Sequence, residues 1–347
     1  MLRKNKITGI VFLLGTGILL CSTSLSWKNK LSTIPAETIE KSVSKSFKLL
    51  ERSGYLFTNR SFLKCASCHH NTLTSMTAEL ARLKGVPVTD SLAADRVKSM
   101  THTLELGCNP NDVQHFLPIN FVAPYILLGL AAEKYPADFD TDISVDVILG
   151  QARAGGGFLT ESGRPPLQTG EIHLAAMSVR ALQWYASPAK KKHVGDIVAS
   201  TKSWLEKSNS DLQQEIAFQL LGMQWCGSNH EQKTKVADRL KSLQHPDGGW
   251  SQLPTLPSDA YATGQALYAL FESGMVKPED EVYQRGMSYL LKTQDADGAW
   301  VVESRSYPFQ PFVSSEFPPY DENQVISATA SNWATMALLL SLPDKIK

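Results

Sequence analysis

The chain has 347 residues, 34 Lys and Arg against 34 Asp and Glu, and a hydrophobic content of 43 %. A formal charge of zero with no basic stripe or arm argues against a nucleic-acid partner. The length suffices for a large buried core in one or two domains.

Residues 1–26 read as a secretory signal peptide. Arg3, Lys4 and Lys6 form a short basic segment, Ile7 through Leu20 an apolar run, and Cys21 through Ser26 a stretch of mostly small residues with cleavage after Ser24 or Ser26. The run is short for a transmembrane helix, so an uncleaved anchor is the secondary reading. Cys21 offers a lipoprotein alternative, opposed by Leu20 where such signals carry a small residue. The protein is therefore expected in the periplasm or another extracytoplasmic compartment, possessing either a free or an anchored N-terminus.

A helical segment occupies residues 27–142. Ile39, Val43, Phe47 and Leu50 fall on one face and predict a helix over 36–50, and a second runs over 74–83 before Gly85 and Pro87. Between them, or opening the second, stands Cys65-Ala66-Ser67-Cys68-His69. C-x-x-C-H is the attachment signature of haem c: each thiol can form a thioether to a haem vinyl group, and the adjacent imidazole binds the iron. Cys65 and Cys68 are thus the expected covalent attachment points and His69 the axial ligand. Met76, Met100, His102 and His115 are within chain reach as the distal ligand, with the two histidines preferred for a low-spin centre. Such a site implies electron exchange with a redox partner protein. Two other occupants use the same residues. One is zinc held by Cys65, Cys68, Cys108 and a histidine; the other is a Cys65–Cys68 disulfide. With haem on the first two thiols, Cys108 and Cys226 are left to pair with each other.

Helical patterns continue over 90–106, 121–132, 170–185, 193–206, 211–225, 231–243, 260–272, 279–291 and 325–340, and no segment sustains the period-two alternation of a strand. The breaks between these helices repeat. Gln244-His-Pro-Asp247-Gly248-Gly249-Trp250 and Gln294-Asp-Ala-Asp297-Gly298-Ala299-Trp300 share one pattern, with their tryptophans 50 residues apart, and Gln151 through Phe158 is a weaker copy. Each copy follows an amphipathic helix and precedes an alanine-rich one, as stacked helix pairs sharing a core require. In the turn, glycine supplies positive φ, glutamine meets groups left over at helix ends, and tryptophan covers the junction.

On these residues the region 143–347 resembles the squalene/hopene cyclase and protein prenyltransferase superfamily, whose Q-x-x-D-G-x-W repeats build an α/α toroid. The resemblance implies an all-α toroid with the upstream helices completing the barrel, and a central hydrophobic cavity for a polyprenyl or triterpenoid ligand. The family's acid motifs, D-x-D-D and D-D-x-x-D, do not occur here. Asp259, which opens the Ala260 helix as an N-cap, is the acid to test for a catalytic role, and Cys226 with Asp259 and a histidine is a conceivable counterpart of the prenyltransferase zinc ligands. Glu171 and His173 begin another inner-helix pattern and are candidates to face the cavity. The aromatic, proline-rich stretch over 304–320 is a candidate cover for one end of the barrel. Three functions follow: a haem c electron-transfer protein on a toroid scaffold, an isoprenoid enzyme, or a non-catalytic binding module for a hydrophobic ligand.

Overall fold

The computed structural model describes residues 34–61, 63–108, 119–160, 163–306 and 315–345, with the side chains of 108, 119 and 120 excepted. The signal-peptide reading, His115 and the middle of the aromatic loop lie outside the described residues. Among the described residues no helix is long and apolar enough to cross a membrane.

Among the described residues twelve α-helices follow one another: α1 Ala36–Arg60, α2 Leu73–Leu83, α3 Asp90–Cys108, α4 Ile119–Ala132, α5 Phe139–Gly150, α6 Glu171–Tyr185, α7 Lys191–Lys207, α8 Gln213–Trp225, α9 His230–Ser242, α10 Ala260–Glu272, α11 Glu281–Thr293 and α12 Gln324–Leu340. The even-numbered helices pack each on the next, and α12 returns to α2, closing an inner ring; the odd-numbered helices lie outside it. Burial separates the two sets. Of the 17 residues of α12 all but Val325 are buried, whereas outer α9 buries only Ala237 and Leu240. Among the described residues there are no strands, only isolated bridges at Ala152–Phe158 and Trp250–Asp259. The expected all-α, α/α-toroid fold is the fold observed.

The Q-W turns hold outer helices together. Gln244 Nε2 donates to Gly248 O at 2.9 Å and Val282 O of α11 at 2.8 Å; Gln294 Nε2 donates to Gly298 O at 3.0 Å and Ser42 O of α1 at 3.1 Å. The second turn therefore joins the last outer helix to the first. Trp250 and Trp300 Nε1 each donate to the carbonyl ten residues earlier, Leu240 and Leu290, both at 2.8 Å. Gly248 and Gly298 have φ of +93° and +101°, and a Cβ on either would meet backbone of the next outer helix within 3 Å.

The weak copy obeys the same geometry one residue out of the expected register. His245 N donates to Gly249 O and Asp295 N to Ala299 O, and the matching bond here is Arg153 N to Gly157 O. Ala152, not Gln151, thus occupies the glutamine position, and Phe158 the tryptophan position.

Two elements differ from the sequence expectation. Helix α1 continues ten residues past Leu50, because that part buries polar rather than apolar groups: Glu51 accepts from Thr89 and from Arg96, which is itself 2 % exposed. Helix α5 was not expected. Its buried side includes Thr141 and Ser144 beside Val145 and Ile148, while Phe139 is 77 % exposed, so its stripe does not read as apolar. Asp138 and Thr141 instead form a capping box that fixes where it starts.

Candidate functional site

The C-x-x-C-H segment opens the inner ring. A π turn, Cys68–Thr72, runs directly into α2, and Ser67 caps it by accepting from His69 N and His70 N, both at 3.2 Å. Asn71 Oδ1 accepts from Ser67 N at 2.9 Å, and Ala66 N donates to Thr103 of α3 at 2.7 Å. His70 stacks on Phe57 of α1 and lies 3.0 Å from Ser315 Oγ through Nε2. His69 is 7 % exposed, packs edge-on against Tyr125 of α4, and leaves its buried Nδ1 without a hydrogen-bond partner. Burial pushes both imidazoles down to about 3, with the neighbouring His70, Arg164 and His173 adding to the effect at His69, so both are neutral at ordinary pH.

Cys65, Cys68 and Cys226 are free thiols. Burial raises both motif thiols, Cys68 to about 12, and the Arg164 guanidinium near Cys68 only partly offsets this. Among the described residues no group of three or more His, Cys, Asp or Glu side chains could hold a metal ion.

From His69 a chain of polar side chains crosses the starts of the inner helices. Tyr125 OH stands 2.7 Å from His173 Nε2; His173 Nδ1 is 3.1 Å from Gln214 Nε2; Gln214 Oε1 accepts from Tyr261 OH. Gln214 Nε2 also donates to the carbonyls of Pro166 and Thr169, which fixes its amide orientation. His173 Nδ1 also lies 3.4 Å from Thr169 O, so this nitrogen faces both the Gln214 amide and a backbone carbonyl. Burial lowers His173 to about 4.

Two carboxyls sit at this end. Glu215 of α8 accepts from Ile172 N at 2.9 Å and His173 N at 3.2 Å, so it caps the neighbouring helix α6, whose own N-cap is Gly170. A Cβ at Gly170 would lie 2.0 Å from Glu215 Oε1, so the glycine makes this cap possible. Burial, aided by Glu171, raises Glu215 to about 7 against the two N–H donors. Asp259 caps α10 by accepting from Ala262 N at 2.8 Å, and Gln252 Nε2 donates to it at 3.1 Å while Arg305 Nε holds Gln252 Oε1 at 2.8 Å. Burial raises Asp259 to about 6. Beside Glu215 lies a cavity of ≈ 20 Å³ bounded also by Gln214, Tyr261, Gln252 and Arg305, room for about one water.

Below this polar layer an aromatic column descends through the ring. His173 contacts Phe218 at 4.2 Å, Phe218 contacts Trp333 at 5.8 Å, and Trp333 contacts Tyr268 at 5.3 Å.

The remaining expected residues are dispersed. Met100 is buried with its sulfur 3.8 Å from Thr72 Oγ1, and Met76 packs against the core. His102 faces the 61–64 loop, 3.1 Å from Leu63 O, and pairs with Glu105 at 3.5 Å. Glu171 points outward to Arg153, so of the pair Glu171 and His173 only the histidine is buried inside. Cys226 ends α8 whereas Asp259 begins α10, so the conceivable Cys226–Asp259–His zinc triplet is not assembled: the ring holds the two at opposite ends of their helices. Tyr125 carried no sequence signal. Gln213-Gln214-Glu215 did, as a polar run opening an otherwise apolar inner helix.

No family model matches the chain. Squalene–hopene cyclase of Bradyrhizobium diazoefficiens is 30 % identical over 148 residues, 37 % of this chain and 22 % of that protein. Lanosterol synthase of Candida albicans is 30 % identical over 116 residues, 30 % of this chain and 16 % of that protein. The matches thus span less than a quarter of these relatives' length. Among solved structures, type II terpene cyclase MstE from Scytonema superposes with a TM-score of 0.57 at 13 % identity, covering 88 % of this chain and 98 % of that one. A possible member of the GH105 family from Salmonella enterica superposes with a TM-score of 0.55 at 11 % identity, covering 89 % and 94 %. Identities this low establish the shared α/α-toroid fold.

Proposed function

We propose that the protein is an enzyme acting on an isoprenoid chain by protonation, of the kind its type II terpene cyclase neighbours represent, with Asp259 as the proton donor. The observation that carries this reading is what stands at the same place in the other full repeat. Thr263 and Ser331 accept from the tryptophan N–H of their respective turns, which aligns Asp259 with Ser327. Ser327 accepts from Val302 N at 3.0 Å, and Asp259 accepts the equivalent bond from the Gln252 backbone. Ser327, inside α12, meets this one bond with a hydroxyl, whereas Asp259 brings a carboxyl that also caps α10 and accepts from Gln252 Nε2.

A carboxyl raised to about 6 retains a protonated fraction near neutral pH, as a general acid requires. Protonating a carbon–carbon double bond leaves Asp259 as carboxylate and a cation on the chain. The faces of Phe218, Trp333 and Tyr268 can stabilise that cation, and loss of a proton or capture of water ends the reaction. The test is incubation of the purified protein with polyprenyl substrates and product analysis by mass spectrometry. Turnover lost in Asp259→Asn supports the assignment, and full turnover in that variant refutes it.

The C-x-x-C-H segment supports a second reading, covalent haem c with electron transfer to a redox partner. Two free thiols three residues apart precede a neutral histidine whose Nδ1 is unpartnered. Thioethers are uncharged, so the burial that opposes thiolates at Cys65 and Cys68 does not oppose them. Attachment requires export, which residues 1–26 would direct. Protein made with haem-maturation machinery should show a Soret band and a haem mass gain on the Cys65–Cys68 peptide; absence of both refutes this reading.

A further inference from the structure

We infer that the cleft between the outer helices α1 and α3 is a binding site for a small phosphorylated polyol, of hexose phosphate size. It encloses ≈ 290 Å³ and lies on the outer wall of the toroid, apart from the inner-helix starts where Asp259 stands. Its floor is built from buried polar groups held in place by other bonds. Asn71, 1 % exposed, is fixed by Ser67 N, Gly54 O and Thr58 Oγ1. Ser99, 3 % exposed, donates its proton to Arg96 O and so turns its free lone pairs elsewhere. Arg96 also lines the cleft, but its guanidinium is spent on Glu51 and Glu133 and adds no net charge to it.

The charge that remains comes from the rim. Lys64 and Lys98 face the single carboxylate of Asp95, with His102 also lining the cleft and Lys64 Nζ donating to Asn59 O; the excess of lysine suits a ligand with one anionic group. Lys64 is brought there by a left-handed backbone, φ +53°, which is unusual for a residue with a side chain. Leu92, the ring of Tyr55, which is 42 % exposed, and the aliphatic parts of the other lining side chains give the cleft somewhat more apolar than polar surface. Hydroxyl and carboxamide groups supply the rest, from Thr58, Asn59, Asn71 and Ser99. Charged groups at the rim beside this mixed surface suit an anionic group joined to a polyol body, and the cleft is too roomy for bare phosphate. Lys64 and Asn71 both belong to the segment that carries Cys65 and Cys68, so occupancy of the cleft would brace that segment from outside.

The test is calorimetric titration of the full chain with glucose 6-phosphate, glucose and inorganic phosphate, at low and high salt. The ester should bind about tenfold or more tightly than either part alone. Its affinity should fall as salt rises and should drop about tenfold in Lys64→Gln/Lys98→Gln. The melting temperature of that ligand-free variant, whose two changes are on the surface, should match that of the parent. No heat from the ester at millimolar concentration, equal binding of glucose, or an affinity unchanged in the variant would each overturn the assignment.

Discussion

Glu215 and Asp259 are carboxyls that the fold prefers protonated. Each is raised by burial, Glu215 from 4.5 to about 7 and Asp259 from 3.8 to about 6. The stability this preference contributes is complete below the unfolded values and is lost as pH rises through the folded ones. His69, His70 and His173 run the opposite way. Lowered from 6.5 to about 3, 3 and 4, they favour the fold above 6.5 and withdraw that support as pH falls. The raw pH profile therefore mixes both signs, and a difference between variants separates them. Glu215→Gln should gain on the parent protein as pH rises from about 4.5 to 7, by up to about 3 kcal/mol across the window. Denaturant midpoints measured at half-unit pH steps check this, and a difference that does not vary with pH would remove Glu215 as the titrating cap of α6.

At the scale of elements, the Q-W turn is a joint whose two side-chain anchors can be removed one at a time. Gln244 ties its turn to α11 and Gln294 ties its turn to α1. Truncating either leaves part-buried carbonyls unmet, and Gln244→Ala and Gln294→Ala should each cost about 1–3 kcal/mol. Gln151→Ala should cost less than about 0.5 kcal/mol, because Gln151 is not at the anchoring position. Urea unfolding of the three variants decides this, and equal losses in all three would restore Gln151 to the motif. The comparison also shows what was legible. Wherever apolar spacing marks a buried face, as in Ile39, Val43, Phe47 and Leu50, or wherever Asp-Gly and tryptophan mark a turn, the elements could be read from the residues. Faces made of Thr141 and Ser144, or of Glu51 with its arginine and threonine partners, carry no apolar period. Their helices were missed or cut short for that reason.

For the whole molecule, ring closure decides which of the candidate residues meet. The C-x-x-C-H segment stands outside the recognisable repeats in sequence, yet it opens an inner helix. A continuous set of contacts through Tyr125, His173 and Gln214 joins His69 to Tyr261, two residues after Asp259. The sequence singled out Cys65, Cys68, His69, His173 and Asp259 by motif or by helix position. It could not show that they share one end of the barrel, because that depends on α12 meeting α2 across the full length of the chain. Tyr125 and Arg305 were invisible for the same reason: each matters only through partners on other elements. The central claim, that Asp259 delivers a proton to an isoprenoid chain, is tested most directly by turnover in deuterated water. Parent protein should release product carrying deuterium from the solvent-exchanged acid, while Asp259→Ser, which installs the residue of the other repeat, should keep the helical circular dichroism of the parent and release none. Deuterated product at the parent rate from Asp259→Ser, or product without deuterium from the parent protein, would contradict it.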